Sequence, residues 1–154
     1  MSIEYSSLSS HHENVPLGMS YLAKAEHFTL LKQRVTAWNE LRTKSIETLS
    51  GSTRADLRGV DLSRVDLTGI DLSRTDLSCV DLRGANLRGA DLSWVDLSWA
   101  NLEGADLEGA NFHKADLIWA NFRGANLQGA IVYGVSFHRV NLFKAIMPDG
   151  RVHD

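Results

Sequence analysis

The chain has 154 residues, 23% of them charged and 44% hydrophobic, with a formal net charge of -3 and a sequence pI near 6.0. That length holds one domain with a core, and the slight acidity does not suit a general nucleic-acid binder, which carries a basic excess. No apolar run approaches the roughly 18 residues of a membrane span, and Cys79, the single cysteine, offers neither an intrachain disulfide nor a thiolate metal cluster.

Residues 1–18, MSIEYSSLSSHHENVPLG, have no apolar period and lack the charged and apolar regions of a signal peptide. The expectation is a disordered leader on a cytoplasmic protein. Residues 19–54 read as a helical N-terminal cap and lead-in. Within LLKQRVTAWNELR, Leu30 to Arg42, the residues Leu31, Val35 and Trp38 fall at i, i+4 and i+7, one face of a helix. That face is placed to cover the start of the pattern that follows, where strand edges would otherwise lie open.

From Ala55 to Asp149 a five-residue frame runs through nineteen units without insertion. The third position is Leu almost throughout, with Phe112, Phe122, Val132, Phe137 and Met147 as exceptions; the first is Ala, Val, Ile70 or Thr75. A period this short and strict is a solenoid signature. Two apolar positions two apart point the same way from an extended backbone, so both face inward while the Asp or Asn between them faces out. A helix cannot satisfy this, because a period of five spreads the leucines over every helical face. Residues 150–154 remain as a C-terminal tail.

This A(D/N)Lxx pattern resembles the pentapeptide-repeat family over all of 55–149, and the helical lead-in resembles that of many bacterial members. The resemblance implies an all-β solenoid, a right-handed quadrilateral β-helix with four pentapeptides per coil. Coils stacked at about 4.8 Å would make nearly five turns and a rod of roughly 23 Å.

On four sides, residues twenty apart stack, which converts the sequence into a surface map. Two corner columns are mostly glycine, Gly84, Gly104 and Gly124 beside Gly69, Gly89, Gly109 and Gly129, and predict type II turns with positive φ. The other two are bulky, with Cys79, Trp99, Trp119 and Arg139 in one and Arg54, Arg74, Trp94 and Lys114 in the next, and predict type I or irregular corners. Trp94, Trp99 and Trp119 with Arg74, Lys114 and Arg139 form an aromatic and cationic edge. It is either ladder packing, at about 0.5 to 1.5 kcal/mol per stacked pair, or the anchor of a protein partner, since Trp and Arg dominate interface hot spots. From Ala55 to Gly109 eleven acidic residues oppose five basic ones, net -6, whereas from Ala110 to Asp149 two oppose four, net +2. The last coil changes character: Ile131, Tyr133, Phe143, Ile146 and Met147 read either as an end cap or as a homodimer surface, the latter resembling how several family members associate.

No catalytic, cofactor or metal site is expected. The carboxylates recur by register rather than as a tuned pair, His113 and His138 fall on different sides, and the serines have no histidine within reach. The expected function is a non-enzymatic scaffold binding a protein of unknown identity, with no membrane and no direct nucleic-acid contact. The alternative is a DNA mimic acting on a topoisomerase. The resemblance to quinolone-protecting members implies that acidic rows serve that role, here Asp56, Asp61, Asp66, Asp71, Asp76, Asp81, Asp91 and Asp96.

Overall fold

Single-residue parallel bridges join second-position residues twenty apart, from Asp56↔Asp76 through Asn126↔Ile146, so four pentads complete each coil. The structure, a computed structural model, describes Leu31, residues 35–40 and residues 55–154; the expected leader of 1–18, most of the lead-in to 54, and Arg54 lie outside the described residues. We number the sides by their first units: the first side holds the units beginning at 55, 75, 95, 115 and 135, and the second, third and fourth begin at 60, 65 and 70. The bonding is that of a parallel β ladder, yet each side is too short for an extended strand: corners interrupt the backbone after every bridge.

Each rung is held by the same three bonds. On the first side Leu57 N donates to Asp76 O at 2.8 Å, Gly59 N to Ser78 O at 3.0 Å, and Asp76 N to Ala55 O at 2.8 Å. The third-position leucines from Leu57 to Leu127 are buried, with small first-position residues such as Ala85, Ala90 and Ala105 between them. Small or β-branched residues pack beside each Leu in so narrow a coil, with Ile70, Val80 and Val95 buried there as well as the alanines. Phe112 and Phe122 meet edge-on inside the stack, with ring centroids 5.9 Å apart.

The corners depart from expectation. In the pentads through Phe143-Lys144 the fifth position has a left-handed φ, at Trp94 (57°), Trp99 (61°), Trp119 (60°) and Arg139 (65°) as at Gly104 (66°). The type I corners expected at the bulky columns are therefore absent, since that turn needs a negative φ at this position. The turn itself is shared. Trp99 N to Ile118 O has the same 2.9 Å as Gly104 N to Arg123 O, and Trp119 and Arg139, whose N–H groups make no such bond among the described residues, still close the same turn through Ala120 N to Leu117 O (2.9 Å) and Val140 N to Phe137 O (3.2 Å), so one backbone path holds whatever the side chain. A non-glycine residue there carries a strain of about 1–2 kcal/mol. Only the last corner, Met147 to Gly150, lacks it: Asp149 is not left-handed, Pro148 leads the turn, and Gly150 follows at 83°.

The outward Asp and Asn also have a task the pattern did not reveal. Each accepts the backbone N–H two residues on, as Asp71 Oδ1 does from Ser73 (2.9 Å) and Asn101 Oδ1 from Glu103 (3.2 Å). This Asx arrangement satisfies a donor that the ladder leaves over. Ile146 lacks an acceptor, and the residue two on is Pro148, which has no N–H to satisfy.

Other segments bond to the first and last coils. Trp38, buried in the helix at 35–40, donates Nε1 to Asp71 O at 2.6 Å; Asn39 donates Nδ2 to Gly69 O (3.0 Å) and accepts from Asp71 N (2.8 Å). Leu31 is buried, and Val35 packs against the same core. At the other end the C-terminal tail of 150–154 turns back: Val152 bridges Ile146 in antiparallel fashion, with Lys144 N to His153 O and Met147 N to Arg151 O both at 2.7 Å. One rung is missing. No bridge or backbone hydrogen bond joins 115–119 to 135–139, where Val135 and Phe137 replace the smaller pair Ala115 and Leu117.

Candidate interaction surface

Both bulky corner columns border the first side. Trp94 ends the fourth side, five residues before Trp99 ends the first, so the two indole columns stand as rails along one face. Trp99 stacks on Trp119 with centroids 5.3 Å apart and planes within 19°, and the Arg139 guanidinium carbon lies 4.9 Å above the far face of Trp119. Across the face, Trp94 lies between Arg74 Cζ at 5.4 Å and Lys114 Nζ at 4.5 Å. Trp94 also meets His113 edge-on at 6.2 Å, and His113 stacks on Tyr133 at 5.4 Å.

These rings are packed and exposed at once. Trp94, Trp99 and Trp119 keep 42%, 61% and 44% of their surface open, and exposed Ile118 stands beside Trp119 on the same face. Corners point every side chain away from the core, so stacking covers ring faces but leaves the edges bare. All six residues of the expected aromatic and cationic edge thus meet in two columns. Ile118 and His113, which were not among the expected edge residues, extend them, and the signal that could have found them is their fourth-position register next to the corner columns.

The five end-surface residues do not form one patch. Ile131 and Tyr133 are exposed on the fourth side, and Phe143 is exposed on the opposite, second side between Arg123 (4.9 Å) and Lys144 (5.5 Å). Ile146 and Met147 are instead partly covered by the returning tail.

Charge on the face follows from the Asx bonds. Asp56, Asp76, Asp96 and Asp116 are all carboxylates, whereas elsewhere amides interleave and bond along the column, as Asn121 Nδ2 does to Asn101 Oδ1 (3.0 Å) and Asn111 Nδ2 to Asp91 Oδ1 (3.2 Å). Arg58 pairs with Asp56 at 2.7 Å, and among the described residues no ion pair reaches Asp96 or Asp116. On the second side the hydrogen-bonded Arg83 guanidinium holds the Asp81 carboxyl below its ordinary range, and on the third the Thr68 hydroxyl does the same to Asp66. Arg88 bonds both Glu108 and Asp106, which keeps its guanidinium protonated more firmly still.

Among the described residues no group of three or more His, Cys, Asp and Glu is placed to hold a metal ion, and no helix is long and apolar enough to cross a membrane. The model of pentapeptide repeats matches residues 55–93, 90–129 and 120–150 in eight copies. The chain belongs to the pentapeptide-repeat family.

Among solved structures, HetL from the cyanobacterium Nostoc sp. strain PCC 7120, a pentapeptide repeat protein involved in heterocyst differentiation regulation, is 37% identical with a TM-score of 0.56. The match covers 64% of this chain and 54% of HetL, so the chain spans about half the length of that relative. A pentapeptide repeat protein from the Arabidopsis thaliana thylakoid lumen is 36% identical with a TM-score of 0.60, over 65% of this chain and 70% of its own. Full-length QnrB1, a plasmid-mediated fluoroquinolone resistance protein, aligns at 18% identity and a TM-score of 0.29 over 62% of this chain and 71% of its own, a likeness too low to carry an argument. Comparison with curated proteins returned no match.

Proposed function

We propose that this pentapeptide-repeat protein is a non-enzymatic cytoplasmic scaffold that binds a protein partner through the tryptophan edge of its first side. The observation that carries this reading is the exposure of Trp94, Trp99, Trp119 and Ile118 together along one face of the rod. Exposed aromatic clusters of this kind mark interaction sites, and a repeat ladder holds them rigid, so little side-chain entropy is lost on docking. Neither a membrane nor direct nucleic-acid binding enters this reading.

The rest of the architecture serves the presentation of that face. The coil is right-handed in this proposal, as the family resemblance implies, and the helix carrying Trp38 and Asn39 acts as the N-terminal cap that blocks edge-to-edge stacking. A homodimer at the C-terminal coil would use Ile131 with Tyr133 on the fourth side or Phe143 on the second, with Ile146 and Met147 contributing only where the returning tail leaves them open. Light scattering at tens of micromolar tests it, and a monomer mass removes it.

The DNA-mimic alternative has less support. Its eight carboxylates each accept a turn N–H, which accounts for their recurrence structurally, and Asn replaces Asp along the C-terminal coils. A supercoiling assay with purified gyrase separates the two: the scaffold reading expects neither inhibition nor quinolone protection at micromolar protein. The scaffold reading itself is tested by co-purification from native cell extract with wild-type protein and with a Trp94→Ser, Trp99→Ser, Trp119→Ser variant that retains its circular dichroism. A partner lost with the variant supports the reading, and identical recoveries refute it.

A further inference from the structure

The tryptophan columns follow a rule that fails at one place. Both faces of Trp94 are covered by cations, from Arg74 and Lys114, and Trp119 is covered by Trp99 on one face and Arg139 on the other. Trp99 rests on Trp119 with one face only. Its other face looks down the corner column onto Cys79 and then Gly59, two small residues where the neighbouring corner carries Arg74. Cys79 is exposed, and Trp99, at 61%, is the most open of the three indoles. Among the described residues no cation or ring covers that face.

We propose that the outer face of Trp99, above Cys79, is a docking position for the guanidinium of an arginine in a basic segment of a protein partner. This rests on the scaffold reading and names the partner's chemistry. Three observations select a cation. The molecule already covers the far face of Trp119 with a guanidinium at 4.9 Å, so the geometry for stacking a planar cation on this column exists one rung away. The open face lies in the acidic part of the rod, where residues 55–109 carry net -6, rather than in the basic C-terminal part. The nearby Asp96 carboxylate accepts from Ser98 N and Oγ through Oδ1 and has no ion pair among the described residues, so a cation approaching along the first side meets a carboxylate not already paired there. A guanidinium suits the slot better than an ammonium because it is planar and weakly hydrated, and stacks as well as pairs.

The test is internal filling of the vacant rung. Arg already occupies left-handed corners at Arg64, Arg74 and Arg139, so Cys79→Arg is compatible with the backbone and places a guanidinium where the partner's would sit. Gly69→Arg adds the same charge at a corner two sides away, where a side chain meets nothing within 4 Å. The probe is a fluorescein-labelled nona-arginine peptide, followed by anisotropy at fixed low ionic strength against the full-length chain, with nona-lysine for comparison. Cys79→Arg and Trp99→Ser are each expected to weaken nona-arginine binding about fivefold, while Gly69→Arg changes it less than about twofold. Nona-lysine should bind more weakly and respond alike to both Arg substitutions. Equal weakening of nona-arginine by Cys79→Arg and Gly69→Arg, or wild-type affinity in Trp99→Ser, would overturn the proposal as general charge attraction. A native partner lost with the triple-Ser variant but kept by Cys79→Arg would sink this inference and leave the scaffold reading standing.

Discussion

Gly104→Ala is a test of the backbone path alone. Gly104 has a φ of 66°, and a Cβ built there meets nothing within 4 Å, so the substitution introduces conformational strain without a clash. An L-residue in this region is strained by about 1–2 kcal/mol, and alanine recovers about 0.4–1 kcal/mol by restricting the unfolded chain. The net expectation is a destabilisation of about 0.5–1.5 kcal/mol. Arg64→Gly, at φ 58° in the same column, should have the opposite sign and a similar size, because among the described residues its side chain joins neither a ring stack nor an ion pair. Urea titration by circular dichroism measures both, compared at the midpoint because repeat rods need not unfold in one step. Gly104→Ala as stable as wild type, or Arg64→Gly less stable, would refute the argument that the repeat holds its non-glycine corners in a strained left-handed conformation.

Further expectations follow from the Asx caps and the ends. Asp96→Ala strands the Ser98 N–H and should cost about 0.5–2 kcal/mol, whereas Asp96→Asn keeps the acceptor, separates stacked carboxylates and should be neutral or slightly stabilising in the same titration. Asn39→Ala leaves Gly69 O and Asp71 N without their side-chain partner and should destabilise by about 1–3 kcal/mol, read as a lower melting temperature. Asp66 and Asp81 have folded-state pKa values depressed below their unfolded ones, so their stabilising contribution is full above the unfolded pKa near about 4 and is lost as pH falls through the folded values. Melting temperature is therefore expected to begin falling below about pH 4, and Asp81→Asn should flatten that fall.

Legibility differed between levels of structure. Leu at most third positions and Ala or a β-branched residue at the first determined the inward faces, because two apolar positions two apart point the same way from an extended backbone, and the twenty-residue register placed Trp99 on Trp119 and Arg74 beside Trp94. What eluded the sequence was governed by backbone bonding. Side-chain size at Trp94 and Trp119 suggested a different corner from that at Gly104, but all three close the same left-handed turn, Trp119 without a bond from its N–H to a further coil. The N–H acceptor role of Asp71 or Asn101 leaves the same outward polarity signal as a merely solvated residue. The returning strand at Val152 has no repeat to announce it. The missing rung at Ser136 is foreshadowed only by the heavier Val135 and Phe137.

The most direct measurement of the central claim is oxidative footprinting of the indoles by mass spectrometry, with purified protein in buffer and then in native cell extract depleted of small molecules. The account predicts that Trp94, Trp99 and Trp119 are oxidised readily in buffer and protected together in extract, while buried Trp38 stays unreactive in both and exposed Tyr133 and Phe143 are unchanged. Equal oxidation of the three edge tryptophans in buffer and in extract would contradict it and assign their stacks to holding the rod together.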